Sequence, residues 1–407
     1  MLSRRMMNEQ AAPALAELAA AIRRARVGEF TDLFLERRGE VCWRLAAGEV
    51  QAREALIREG AALRRDGDLL SVDGLERPTL AELLGAPVRR LPLLALPALP
   101  PPPSFSALPY RQVSDLVSVR WRWSWAAVVT HESACDGLRP ELAELTFADG
   151  HRTLTTWPPV VPEESVVPAL PAAVVRAGAG SVLLAPAATA VLVHELFGHL
   201  LEADLLRRGA SPWSRRRGDR VLRLELDVTD DPTRTDLPGG FTLDDEGVVA
   251  APRPLLAGGV VVGALADHAT APLARAEPGN ARRANVHAPP RPRISNLVIT
   301  AAGALPAPPR EDAEIEVAAL DAGTVDAATG WLALRVRQAW GLRRGLPVRA
   351  LAPFTLVGRL AAVCEGMRAA AQPSLMSAEP GWCSKEGDVV PVGTIAPWLL
   401  VTGLEAR

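Results

Sequence analysis

In the run Val191-Leu-Val-His-Glu-Leu-Phe-Gly-His-Leu-Leu-Glu-Ala-Asp204, the residues His194, Glu195 and His199 interrupt a stretch that is otherwise apolar and reads as a helix. Two imidazoles on one short segment, with a carboxylate beside the first, are the parts of a zinc hydrolase. The imidazoles hold the metal, and the carboxylate takes a proton from the water that the metal acidifies. Burying a Glu and two His among apolar side chains is costly without such a partner. The chain has only six His in all.

The spacing is H-E-x-x-x-H, one residue longer than H-E-x-x-H. At 3.6 residues per turn, side chains four apart point the same way, whereas side chains five apart diverge by roughly 140°. A regular helix therefore cannot aim His194 and His199 at one ion. A π-bulge or a local unwinding absorbs the extra residue. Gly198, directly before the second His, is where such a distortion costs least.

These residues need a scaffold, and composition bounds it. At 407 residues the chain exceeds what one compact core usually holds, which predicts two domains. A net charge of −2 and 4% aromatic residues argue against nucleic acid or an anionic membrane as partner. The longest apolar runs are broken well before the 18 or so residues of a membrane span. The first residues lack a secretory pattern, so a cytoplasmic protein is expected. Cys42, Cys135, Cys364 and Cys383 are widely spaced and form no C-x-x-C pair, unlike a disulfide framework.

The fold class read from the pattern is α+β: an N-terminal α/β domain over residues 1–175, then a mainly β C-terminal domain over 176–407 carrying one metal-binding helix. Apolar spacing predicts a helix over 12–26 and a second near 50–65. Thr31 to Glu36 and Val41 to Leu45 read as two short strands of a hairpin, and Asp115 to Thr130 as a half-buried strand. Pro-rich segments at Leu91 to Pro109 and Trp157 to Pro171 read as linkers. A strand at Ser181 to Ala185 feeds the metal helix. Further strands are expected at Val221 to Val228, Val260 to Ala264, Ser295 to Thr300, Ile315 to Leu320 and Trp331 to Arg337.

In this order the chain also carries Glu202 and Asp204 after the metal helix, Asp244-Asp-Glu-Gly247, Gly279-Asn-Ala-Arg282-Arg283, Pro292-Arg293-Ile-Ser-Asn296, Gly381-Trp-Cys383-Ser-Lys385-Glu-Gly387 and Pro391-Val-Gly393. With His194-Glu-Leu-Phe-Gly-His199 this set resembles the TldD/PmbA family of metalloproteases, in its HExxxH-containing TldD type. The resemblance runs from the metal helix to the C-terminus. It is faint in the N-terminal half, around Asp32-Leu-Phe-Leu-Glu36, where the chain looks shortened.

The resemblance implies that Cys383 completes the zinc site, one Zn2+ per chain, with Glu195 as general base. A thiolate closes a His2Cys site and leaves one position for water. Glu202, one turn past His199, is either a direct ligand or a hydrogen-bonding support for one; Cys383 filling the vacancy favours support. Lys385 is the chain's only lysine and lies two residues from Cys383, where a point charge could stabilise the thiolate. Arg282, Arg283, Arg293 and Asn296 are candidates for a substrate channel, able to hold peptide carbonyls or a terminal carboxylate. Family members tend to carry a Tyr just after the paired Arg; here the neighbourhood is Ala284-Asn-Val-His287, and His287 is the candidate substitute.

The function expected is that of a zinc-dependent peptidase acting on small or unfolded peptides, with a role in trimming peptide precursors. The resemblance also implies a dimer, either with itself or with a motif-lacking PmbA-type paralogue. Two alternatives stand beside this reading: a narrow-specificity amide hydrolase of a biosynthetic pathway on the same scaffold, and a non-catalytic binding subunit of a peptidase complex.

Overall fold

The computed structural model describes residues 12–25, 31–46, 49–65, 68–85, 88, 116–130, 134–147, 153–156, 178–372 and 379–407. Both Pro-rich segments read as linkers, and the expected boundary at 175/176, lie outside them.

The first sheet is antiparallel throughout. It comprises β1 (Thr31–Ala46), β2 (Glu49–Arg65), β3 (Asp68–Asp73), β4 (Leu116–Thr130), β5 (Ala134–Phe147) and β6 (Thr153–Thr156), in the order β3-β2-β1-β4-β5-β6. Helix α1 (Ala12–Ala25) lays Leu15, Leu18 and Ile22 on one face of this sheet, against Leu33, Leu35, Leu63 and Trp125. Helix α2 (Arg77–Leu84) adds Leu80 and Leu84 to the same core.

Two expectations fail here. The segment near 50–65 is not a helix but β2, and the two short strands at 31–36 and 41–45 are one continuous strand. Good helix formers fill β2, yet it hydrogen-bonds along its whole length to β1. Its last residues also obey a period of two. Ala61 and Leu63 face the core under α1, while Ala62 packs on the opposite face with Phe34 and Val286. Tertiary pairing of this kind overrides intrinsic propensity.

From residue 178 onward the chain is mainly β. The next strands are β7 (Gly178–Leu184), β8 (Leu226–Asp230), β9 (Arg253–Ala257), β10 (Val260–Val261), β11 (Ala281–Arg282), β12 (Arg291–Pro292) and β13 (Asn296–Ala301). After them come β14 (Ile315–Asp326), β15 (Trp331–Arg343), β16 (Leu346–Leu351), β17 (Phe354–Arg359), β18 (Met367–Ala371), β19 (Glu379–Lys385), β20 (Asp388–Ile395) and β21 (Trp398–Ala406). The strand expected from Val221 begins only at Leu226, and that expected over Val260 to Ala264 is just Val260–Val261. Both neighbourhoods are turn-rich, and their backbone groups bond across loops, as Val221 N does to Gly259 O.

One sheet has the order β10-β9-β8-β13-β20-β19. In the other, β14-β7-β21-β17-β15 closes into a ring because β14 also pairs with β15. The helix that leads to His194 leaves β7 and enters the apolar core between these sheets. Leu192, Val193, Leu196, Phe197, Leu200 and Leu201 pack there with Val228, Ile294, Leu297, Val317 and Leu334. A helix that is apolar all round has to be buried this way.

The two parts of the chain meet across charged groups. Arg64 bridges Asp32 at 2.7 Å and Glu246 at 2.5 Å, and Arg283 approaches Asp32 at 3.4 Å with its guanidinium over the Phe34 ring. Glu36 accepts from Val286 N at 3.1 Å, and Arg38 donates to the Ala284 carbonyl at 2.6 Å. The Asp32 to Glu36 segment thus seats directly on the Asp244–Gly247 and Arg282–Val286 loops. Among the described residues no helix is long and apolar enough to cross a membrane.

Candidate metal centre

Helix α3 (Pro186–Val193) starts with proline in its first turn, where a missing N–H costs nothing. It gives way to a π-turn over His194–Gly198, a 3-10 turn over His199–Leu201, and then α4 (Ala203–Arg208). The His199 N–H bonds to the His194 carbonyl, five residues back. This is the bulge that the H-E-x-x-x-H spacing requires. It turns the two imidazoles onto each other, with ring centroids 4.7 Å apart at an interplanar angle of 79°. The indole of Trp213 donates to the Leu196 carbonyl at 2.7 Å and stacks on Phe197, so a carbonyl within the irregular turn is satisfied.

Gly198 has a second reason to be glycine. A Cβ there would overlap Ile294 Cδ1, and this fully buried side chain would have to shift within the core. We expect Gly198→Ala to cost about 1–3 kcal/mol, measured by denaturant unfolding of the metal-free protein. A variant as stable as the parent would show that Ile294 can repack.

Cys383 arrives from the far end of the chain. β19 and β20 form a hairpin in which Cys383 faces Val390 and Lys385 faces Asp388. Glu386 and Gly387 make the two-residue connection, both at positive φ (51° and 88°), as a type I′ turn demands. The hairpin puts Cys383 Sγ 3.6 Å from His199 Nε2, and one donor atom each from His194, His199 and Cys383 lies within 4.8 Å of the others. Tetrahedral zinc with Zn–N near 2.0–2.1 Å and Zn–S near 2.3 Å holds nitrogen and sulfur about 3.5 Å apart. The donor set and its spacing fit such an ion.

Electrostatics at the centre are mutual. Burial pushes the Cys383 thiol up, but the charge of His199 and hydrogen bonds from both imidazoles hold it well below the ordinary thiol range. His199 is conversely held well above the ordinary histidine range: burial opposes its charge, and Glu202 and Cys383 outweigh burial. Glu195 is raised, chiefly by burial. Its side chain occupies the space over Gly323, where a Cβ would stand 2.8 Å from Glu195 Cγ. Nothing in the sequence pattern singled out Gly323 or Trp213: the first matters only once β14 packs on the helix, the second only once the loop after α4 folds back on the π-turn.

The surrounding residues divide by what they touch. Glu202 accepts from His199 Nδ1 at 3.1 Å and pairs with Lys385 at 2.8 Å, so it steadies a candidate ligand and is not itself one of the three converging groups. Lys385 does not face the thiolate. Its ammonium lies 2.8 Å from Asp204, 2.8 Å from Glu202 and 3.0 Å from the Pro292 carbonyl. The two carboxylates beside it, which are stronger acceptors for a compact ammonium, explain the difference. Asn296 is fully buried: its Oδ1 accepts from Gly239 N and Gly393 N, and its Nδ2 donates to two carbonyls. Arg293 is also buried, holding Cys383 and Asp388.

Arg282 donates to the Ile294 and Pro391 carbonyls, at 2.6 and 2.9 Å. With Arg283 it lines a small cavity, about 40 Å³ in volume, shared with Phe34, Glu36, Arg38 and Asp245. His287 is half-exposed and bonds Ser71 and Asp73 of the first sheet, at 3.0 and 3.2 Å, instead of joining the His-His-Cys group.

Residues 177–406 match the PmbA/TldA metallopeptidase C-terminal domain. Among curated relatives, a metalloprotease TldD homolog of Haemophilus influenzae is 30% identical over 237 residues, covering 57% of this chain and 49% of that protein. A metalloprotease of Archaeoglobus fulgidus is 28% identical over 225 residues, covering 55% of this chain and 52% of that protein. The chain thus spans about half the length of the curated relatives it matches. Two solved structures share the fold. TldE from Thermococcus kodakarensis has a TM-score of 0.68 at 14% identity, over 97% of this chain and 100% of that one. A putative modulator of a DNA gyrase from Thermotoga maritima has a TM-score of 0.66 at 16% identity, over 98% and 100%.

Proposed function

Because the chain belongs to the TldD/PmbA metallopeptidase family, we propose that it is a zinc-dependent peptidase with one Zn2+ held by His194, His199 and Cys383. The observation that carries this reading is the convergence of those three donors on a π-turn, with Glu195 beside the first of them. Two imidazoles and a thiolate suit zinc and leave a fourth position open.

In this mechanism zinc supplies Lewis acidity, polarising the scissile carbonyl and making water a better nucleophile. Glu195 takes the proton from the attacking water and delivers it to the leaving amine. Its placement over Gly323 limits where the carboxylate can swing. Glu202 keeps the His199 Nδ1–H engaged, which would leave Nε2 as the atom that holds the ion when it is bound. Lys385 in turn holds Glu202.

The proposal extends to substrate and assembly. The substrates are small or unfolded peptides, and the protein works in the cytoplasm as a dimer, with itself or with a motif-lacking paralogue. Residues 1–175 form one domain and 176–407 the other, with the N-terminal sheet helping to roof the site. Support comes from Arg122, whose guanidinium lies 5.5 Å from the ring of Trp382, next to Cys383.

Purified protein, alone and with any such paralogue, should contain near-stoichiometric zinc by elemental analysis. It should cleave unstructured peptides and spare a stably folded protein. Stoichiometric zinc without cleavage of any peptide would leave a binding subunit, and rapid cleavage of the folded protein by a monomer would refute the roofed site.

A further inference from the structure

Arg293 is about 1% exposed, and its Nη2 faces three acceptors at once. These are the Cys383 carbonyl, the Asp388 carbonyl at 3.2 Å and the Cys383 sulfur at 3.3 Å. The two carbonyls belong to opposite strands of the β19–β20 hairpin, so one guanidinium ties the hairpin and its sulfur together. Arg293 is itself fixed by its own N–H, which bonds the Asn280 carbonyl at 3.0 Å, just beyond the β11–β12 pair. His199 Nε2 stands 3.6 Å from the same sulfur. The sulfur is therefore in contact with both a candidate metal ligand and a guanidinium.

We propose that Arg293 is a positioning residue for Cys383, fixing the sulfur and withdrawing part of the charge that the thiolate would otherwise donate to the metal. This rests on the zinc reading above. A thiolate ligand weakens the acidifying power of zinc relative to a third neutral imidazole. A charged N–H on the sulfur offsets that loss, because charge-assisted hydrogen bonds pull density toward the donor. Arginine suits the task because its planar guanidinium fixes the direction in which the Nη2 N–H groups point, toward the sulfur and the hairpin carbonyls, whereas the donors of a lysine ammonium rotate freely.

The test uses the full chain loaded with Co2+, whose thiolate-to-cobalt charge-transfer absorption reports the energy of the sulfur lone pairs. Arg293→Met should keep the band but move it to longer wavelength, and Arg293→Lys should recover only part of the shift. Full cobalt loading with the band unmoved in both variants would overturn the proposal. Absence of any thiolate band in the unsubstituted protein would instead refute the zinc reading. Should neither variant fold, the unsubstituted protein loaded with 113Cd decides: a scalar coupling between guanidinium protons of Arg293 and the metal, transmitted through sulfur, is expected. Resolved protons without that coupling would refute the contact.

Discussion

Glu195→Gln should lower turnover of an unstructured peptide by ~10²–10⁴-fold, the usual cost of removing a general base, while zinc content and folding stay at parental levels. The amide keeps the size of the carboxylate, so it still fills the space over Gly323 and leaves the π-turn intact. What it loses is the ability to accept a proton. The carboxylate is well suited to that task, since burial makes it more basic than an exposed glutamate. Neither His194 nor His199 can replace it once both lone pairs are committed to the ion. The measurement is kcat alongside metal analysis of the same sample. Parental turnover in the variant would end the mechanism, whatever the metal content.

Cys383→Ala should release most of the zinc. Hydrogen-bonding supports of metal ligands are typically worth about 10–100-fold in affinity, so a direct ligand should exceed that range. Zinc binding also adds to the stability of the folded state, so the melting temperature should fall toward that of chelator-treated parent protein. A control is built into the chain. Cys364 is buried on the helix Leu360–Gly366, with its thiol pushed up to about 12 by desolvation, and Cys364→Ala should keep its metal. If Cys383→Ala binds zinc as the parent does, the third ligand is not this sulfur, and Glu202 becomes the residue to examine.

How legible these features were depends on whether the relevant physics is local. The π-turn was readable because helix geometry alone forbids two ligands five apart, and Gly198 marked the place. Cys383 was singled out only through the family resemblance; the hairpin that delivers it was not read, although Glu386-Gly387 encodes its turn. The segment 50–65 misled because its helix-forming residues are held in β2 by a partner strand, and the strand is exposed over most of its length and buried on both faces at its end, so its sequence shows no apolar alternation. Lys385 was correctly singled out as rare but assigned to the wrong acceptor. The carboxylate of Asp204 is 181 positions away in sequence and reaches the ammonium only through the fold. The same holds for Arg293, whose bond to Cys383 spans 90 positions. Long-range side-chain contacts follow from topology, which no short window contains.

The burial of Lys385 has a chemical consequence. It is the chain's only lysine and is about 9% exposed, clasped by Glu202 and Asp204. Amine-directed dyes, crosslinkers and acylating agents therefore find no exposed lysine on the folded chain, and lysine-to-lysine crosslinks cannot trap its assemblies. The same isolation makes this ammonium a single-site clock. Acylation there has to wait for the β19–β20 hairpin and the segment after His199 to part, so its rate reads the local opening of the metal centre against a background free of other lysines.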